Sequence, residues 1–508
     1  MNHRRPHGTR PSGPNGGRGR RPDNPRNDRY TAPPARVDGP RDRVQERLVK
    51  LVQRFPELPL GSVDTRGLEP RDAAFARALE SAVLERWITL EAIICSQLDR
   101  GWPTLQPAVR AALLTGTAEI LLLDSVPDHA AINETVERVR RNLHQAVAGL
   151  VNAVLRKIAA LRLETLAADD PETTELRTAR NGLPLADGRV IRLAKPVFAE
   201  EEVSRLGEQT SHGDDLVIHW IAAHGFAKTY ELCLHDLVRP PICVTATDPE
   251  TLRPGAGADG PLVAHDRPGF FVLDPGKANV RSFLAEHPGS RIQDPASAEP
   301  VAGAIASGLE PTVILDYCAG RGTKTRQLAD AFPEARILAT EVDPLRFTDL
   351  ERAFEGHPTV EVVRPEALKE VIGRVDLLAL DVPCTNTGVL PRRPEAKYRF
   401  SRDSLASIAT LQRKIVRETK PFLAPGGAIL FSTCSLEPTE NRRMVAWMER
   451  RFGLASRHAA QRFPAGQPGD PLTSIHDGSF HAVLVDTERP GSTDADDMTD
   501  AELMPDAT

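Results

Sequence analysis

Two of the chain's six cysteines stand where a thiol could act as a nucleophile. Cys384 lies in DVPCTNTG, residues 381–388, and Cys434 in FSTCSLEPTEN, residues 431–441. Each follows an apolar run, residues 375–380 and 428–431, that reads as a buried strand. Free cysteine is a common core residue, so one such thiol alone would be packing. Two thiols carried by the ends of different strands are hard to explain that way. The carboxyl edge is where open α/β sheets build their sites. A thiolate placed there can attack an electrophilic carbon and split one difficult reaction into easier steps.

A second group of residues implies a ligand beside those thiols. An apolar strand at 313–315 runs into DYCAGRGTKT, residues 316–325, whose glycines let backbone approach a ligand closely. A little over twenty residues on, the next strand ends in Glu341-Val342-Asp343. An acid at that point can accept hydrogen bonds from a ribose. The spacing suits either a dinucleotide or the adenosine of S-adenosylmethionine.

These residues need a scaffold. Apolar runs at 313–315, 336–340, 360–363, 375–380 and 428–432 alternate with helical stretches, which predicts a parallel sheet with helices on both faces. At 508 residues the chain has room for more domains. Residues 42–168 read as all-α. Ile132, Val136, Val139, Leu143, Val147, Leu150, Val154 and Ile158 recur at helical spacing, with Arg138, Arg140, Arg141, Arg156 and Lys157 on the remaining face. Trp87 and Trp102 are expected inside. Residues 169–204, rich in Asp, Glu, Pro and Thr, read as a linker, 205–300 as a small α+β insert and 301–486 as the α/β domain.

Net charge is −6, which disguises two opposed tails. Residues 1–43 hold eleven Arg and four Asp, and residues 486–508 hold eight acids and one Arg. Segments 1–41 and 487–508 are expected to be disordered, and an arginine-rich arm suits RNA phosphates. No apolar run is long enough for a membrane span, and no secretory h-region is present. The cysteines form no CxxC pair, so neither a disulfide framework nor a metal site is expected. A reducing cytoplasm fits free thiols.

The segments CAGRGTKT, EVD, DVPCTNTG and STCSLEPTEN resemble, in order, the signature motifs of the Sun family of RNA cytosine-5 methyltransferases, in its ribosomal small-subunit (16S) branch. AAINETVERVR and GLVNAVLRKI are similar to the NusB-like RNA-binding domain of that branch, and TSHGDDLVIHW, RIQDPAS and DGSFHAVLV to its middle and final segments. The resemblance runs from about residue 42 to 486. It implies a multidomain fold: an all-α NusB-like domain, a small α+β region that also meets RNA, and a Rossmann-like methyltransferase domain that binds S-adenosylmethionine. It implies Cys434 as the nucleophile, Cys384 as an aid to product release, and Asp381 beside both the target base and the cofactor. Cys318, Ala319, Gly320, Arg321, Gly322, Thr323 and Lys324 would line the cofactor, and Glu341 would hold its ribose. The chain departs from the family in three places. The usual Ala-Pro-Gly-Gly-Lys is Gly320-Arg321-Gly322-Thr323-Lys324, Glu341 replaces an Asp, and Glu366 stands in for an acid near the adenine. Arg392, Arg393, Lys397, Tyr398 and Arg399, which follow the Cys384 loop, are expected to grip RNA.

The expected partner is small-subunit rRNA, met by a monomer without metal or membrane. Two rival readings remain at this level: an RNA-binding factor with a degenerate catalytic half, and a methyltransferase acting on tRNA or DNA. A DNA-type enzyme would use the Pro-Cys thiol as nucleophile and would not need Cys434.

Overall fold

The computed structural model describes residues 39–487 except 100, 144, 256, 258 and 259. The expected basic arm, apart from its last three residues, and the acidic tail beyond 487 lie outside the described residues.

The first domain is built of helices Pro40–Val52, Pro70–Glu85, Trp87–Cys95, Pro107–Leu122, Asp128–Asn142 and Gln145–Leu161. Three of them open on proline, whose missing N–H costs nothing in a first turn. Helix Pro107–Leu122 is buried without a break from Ala111 to Leu121, as the central helix of a bundle must be. Trp87 and Trp102 are buried as expected. Arg138 is not on the solvent face predicted for it: it is buried, with Nε 2.8 Å from Asp42.

The stretch expected to be a linker is folded. Strands Arg162–Leu166, Val190–Leu193 and Gly182–Pro184 make a three-stranded antiparallel sheet, in that spatial order. Its Leu183, Ile191 and Leu193, with Phe198, join the apolar core of the helical domain. The polar residues that suggested a linker mostly face solvent, while Gly182–Pro184 and most of Val190–Leu193 are buried against the helical domain.

Residues 202–306 hold the α+β region. Helices Glu202–Thr210, Asp214–His224 and Phe226–His235 precede a four-stranded antiparallel sheet and helix Val280–Glu286. Helix Pro295–Ala306, capped by Asp294 Oδ1 on the Ala296 N–H, leads into the α/β domain.

That domain has seven strands: β1 (Val313–Asp316), β2 (Arg336–Ala339), β3 (Val360–Val362), β4 (Val375–Asp381), β5 (Leu423–Thr433), β6 (Leu454–Arg462) and β7 (Ser479–Asp486). Their spatial order is β3-β2-β1-β4-β5-β7-β6. The first five are parallel, as predicted; β7 slots between β5 and β6 antiparallel to both, so the sheet is mixed. Alternation builds two cores. Leu378, Leu380, Ile429 and Phe431 face helices Arg402–Thr419 and Arg442–Phe452, meeting Val416, Met444 and Trp447. Leu377, Ala379, Ala428 and Leu430 face the opposite layer, with Val301, Leu328 and Leu350.

Candidate active site

Register brings the thiols together. β4 and β5 run parallel with Asp381 opposite Ser432, so Cys384 and Cys434 leave neighbouring strands at nearly the same height. Their sulfurs lie 3.1 Å apart. The two loops are stapled by the Gly388 N–H donating to Cys434 O at 2.9 Å. A Cβ at Gly388 would meet that oxygen at 2.7 Å, so glycine is needed there for close approach.

Beneath the thiols sits a carboxylate that sequence reasoning missed. Glu440 is fully buried. Its Oε1 accepts from the Thr385 N–H (2.9 Å) and from Gln412 Nε2 (3.0 Å), and its Oε2 accepts from Ser435 Oγ (2.5 Å) and the Thr385 hydroxyl. One side chain thus ties the Cys384 loop, the Cys434 loop and helix Arg402–Thr419. Burial pushes its pKa up to about 7 against the pull of those hydrogen bonds. Asn441 braces the Cys434 loop, accepting from Thr433 Oγ1 at 2.6 Å and donating to Ser435 O at 2.8 Å. Glu437, also fully buried, accepts from Trp220 Nε1 at 3.0 Å and pairs with His219 Nε2 at 2.6 Å, joining the same loop to the α+β region. The available signal was a pair of acids, Glu437 and Glu440, inside a segment that otherwise reads as strand end and turn.

A cation stands beside the thiols. Lys324 Nζ lies 2.8 Å from Asp381 Oδ2, whose Oδ1 accepts from Ser432 Oγ at 2.9 Å. Burial works against the Lys324 charge, but Asp381, and behind it Cys434, outweigh it and raise its pKa. Cys384 is held well above the ordinary thiol range, first by its contact with Cys434 and then by burial. It is therefore a thiol near neutral pH, suited to exchanging a proton rather than to attack.

The glycine loop keeps its turn despite the lost proline. Gly320 and Gly322 take φ of 60° and 85°, the left-handed region open to glycine. A Cβ on Gly322 would fall 2.3 Å from Phe354. Cys318, Ala319, Gly320, Arg321, Gly322 and Thr323 line the end of β1 up to helix Thr323–Ala331, and Asp316 beneath them accepts from Thr325 Oγ1 at 2.6 Å. Arg321 points away to Asp349, at 3.0 Å. Glu341 ends β2's extension; its Oε1 accepts from the Asp343 N–H at 2.9 Å, and among the described residues no hydrogen bond engages Oε2. Val342 and Leu345 beside it are 74% and 79% exposed, large apolar side chains with nothing packed over them. A free carboxylate oxygen next to uncovered apolar surface fits a ribose and a purine. Glu366 opens the short 3-10 helix Pro365–Val371 after β3 and is exposed there.

Comparison with known proteins agrees with this geometry. Residues 306–462 match the family 16S rRNA methyltransferase RsmB/F, and residues 42–160 match the NusB family. Two separate stretches of the chain are thus similar to a NusB domain and to an RsmB/F methyltransferase domain. The ribosomal RNA small subunit methyltransferase B of Vibrio cholerae is 27% identical over 433 residues, which span 82% of this chain and 90% of that protein. The probable ribosomal RNA small subunit methyltransferase B of Bacillus subtilis is 25% identical, over 80% and 87%. The crystal structure of PH0851 covers 88% of this chain and 98% of its own at 17% identity, with a TM-score of 0.60, a likeness of fold. The protein is an S-adenosylmethionine-dependent RNA methyltransferase. No described helix is long and apolar enough to cross a membrane.

The basic loop after Cys384 is where expectation and structure part. Lys397 and Tyr398 lie in helix Pro394–Arg399 but are 1% and 6% exposed, too buried to grip RNA. The break between NusB-domain helices Pro70–Glu85 and Trp87–Cys95 leaves backbone groups unpaired, and these two side chains satisfy them. Lys397 Nζ donates to Glu85 O at 2.8 Å, Tyr398 Oη donates to Leu84 O at 2.7 Å, and the Trp87 N–H donates to Tyr398 Oη at 3.2 Å. Arg392 is spent on Asp477 (2.6 Å) and Asp294 (3.0 Å), and Arg399 stands 3.6 Å from Glu395. Arg393 is exposed and remains placed for a phosphate. Lys397→Met should accordingly leave RNA affinity and its salt dependence unchanged, while Arg393→Ala should lower the salt slope by about 1. Filter binding across a salt series checks both. Burial also lowers the Lys397 pKa from its ordinary 10.5 to about 8. The unfolded chain then holds the extra proton between those values, so Lys397 makes stability rise with pH from about 8 to 10.5. Thermal unfolding of Lys397→Met should lack that rise.

Proposed function

We propose that the enzyme methylates C5 of a cytosine in small-subunit rRNA through a covalent bond between Cys434 and the base. The observation that carries this reading is the pair of thiols 3.1 Å apart on adjacent strand ends, next to the Lys324–Asp381 pair. S-adenosylmethionine supplies an electrophilic methyl group, but C5 of cytosine is a poor nucleophile. Cys434, as thiolate, adds to C6 and shifts the ring's double-bond electrons to C5, which can then take the methyl group. The C5 proton must afterwards leave, and its electron pair re-forms the ring double bond as the Cys434 thiolate is expelled. Cys384, held protonated beside Cys434, is placed to assist that release. Asp381, fixed by Lys324 and Ser432, orients the polar edge of the base, which must leave any stack to enter.

The NusB domain and the exposed Arg393 give the RNA a docking surface, and the relatives' names point to the small subunit. The free thiols suit a cytoplasmic enzyme, which we take to act as a monomer. Bisulfite sequencing of cellular RNA from a deletion strain and its parent tests the reading. One rRNA cytosine should lose its protection in the deletion strain, and an unchanged rRNA pattern would reject the substrate. The ribose assignment makes its own prediction. Glu341→Ala should weaken S-adenosylmethionine binding by about 1–3 kcal/mol, the cost of leaving buried partners unpaired. Calorimetry with unaltered affinity would remove Glu341 from the cofactor site.

A further inference from the structure

We propose that Asn386 is a positioning residue for the nucleophile, its carboxamide bridging the two thiol loops and aiming the Cys434 sulfur. This rests on the reading of Cys434 as nucleophile. Asn386 has φ of 63°, one of two non-glycine residues with positive φ among the described residues. Glycine is the least strained choice for such a conformation, and asparagine is tolerated at some cost. A side chain is therefore present where the backbone alone would favour none.

Its contacts say what that side chain does. Asn386 Nδ2 lies 2.9 Å from the Cys384 backbone oxygen, and Asn386 Oδ1 lies 3.3 Å from Cys434 Sγ. A carbonyl oxygen can only accept, so the amide NH₂ must face Cys384 and the amide oxygen must face Cys434. That oxygen can only accept in turn, so it draws the Cys434 S–H toward itself. The resting thiol is then held in one rotamer, with its hydrogen directed at Asn386 Oδ1. Without the carboxamide, Cys434 keeps its neighbour Cys384 at 3.1 Å but loses the contact that fixes its own direction. Reacting atoms need near-attack alignment, and small misplacements cost rate steeply.

The bland alternative is that Asn386 serves only as a residue tolerant of positive φ. Glycine separates the two, because Asn386→Gly keeps the backbone and removes the carboxamide. The assay is the rate of denaturation-resistant adduct formation with a small-subunit rRNA transcript containing 5-fluorocytosine, whose C5 fluorine blocks release. KM for unmodified transcript and the unfolding midpoint are measured alongside. For Asn386→Gly we expect adduct formation slowed by about ten- to a hundredfold, KM within about twofold, and a midpoint no lower than that of the parent. Asn386→Ala should be as slow and less stable. A glycine variant that forms adduct at the parental rate overturns the assignment while leaving Cys434 as nucleophile. A parent enzyme that forms no adduct at all overturns the nucleophile reading, and Asn386's role with it.

Discussion

Cys434→Ala should abolish methylation, by about four orders of magnitude or more, with S-adenosylmethionine binding intact, whereas Cys384→Ala should trap the enzyme on its RNA. The difference follows from the state of each thiol. Cys384 is held protonated by its contact with Cys434 and by burial, so it is a poor first attacker. Cys434 lies 3.1 Å from Cys384 and is directed by Asn386 Oδ1 at 3.3 Å, so it is the thiol left to attack. With Cys384 gone, attack and methyl acceptance still proceed but release falters, and an adduct that survives denaturing electrophoresis should accumulate. The double variant should form none. Adduct from Cys434→Ala and none from Cys384→Ala would reverse the roles and move the enzyme towards the mechanism of DNA cytosine methyltransferases. Full activity in both variants would return the thiols to the core.

What could be read from the chain, and what could not, divides along sequence distance. Strand ends carry their own signals. An apolar run, a glycine turn and a polar residue lie within ten positions, so the five parallel strands, the loop ending in Lys324, and both thiols were legible. Their closeness depends on Asp381 standing opposite Ser432, which the motifs imply only through the fold. Side chains whose partners come from distant segments were misread. Lys397 and Tyr398 belong to a run with the composition of an RNA-binding loop, and their partners lie more than 300 positions earlier, in a helix break. Residues 169–204 look like linker because the two strands within them are only three and four residues long, too short for a strand pattern to stand out among acids and prolines. Glu440 and Asn386 were passed over for the same reason. Their chemistry exists only once the Cys384 and Cys434 loops have met.

Glu440 yields the second large effect, and here charge and shape can be separated. Removing the side chain in Glu440→Ala leaves the Thr385 N–H and Gln412 Nε2 without that acceptor and releases both cysteine loops. Stability should fall by about 3 kcal/mol and methylation by about a hundredfold. Glu440→Gln should do neither. The folded Glu440 has a pKa of about 7 against its ordinary 4.5, so the folded state takes up a proton more readily than the unfolded chain. The stability tied to that proton is complete below about 4.5 and is lost as pH rises through about 7. Glutamine has the shape of the protonated acid. Its amide can donate to the hydroxyls of Thr385 and Ser435, which turn to accept, while its carbonyl keeps the Thr385 N–H and Gln412 Nε2. Unfolding midpoints should therefore fall between pH 5 and 8 for the parent on this account and stay flatter for Glu440→Gln, which should be at least as stable as the parent at pH 8. A glutamine variant with the parent's full pH slope would mean that Glu440 is ionised throughout, and that four hydrogen bonds suffice to hold a charge beneath the two thiols.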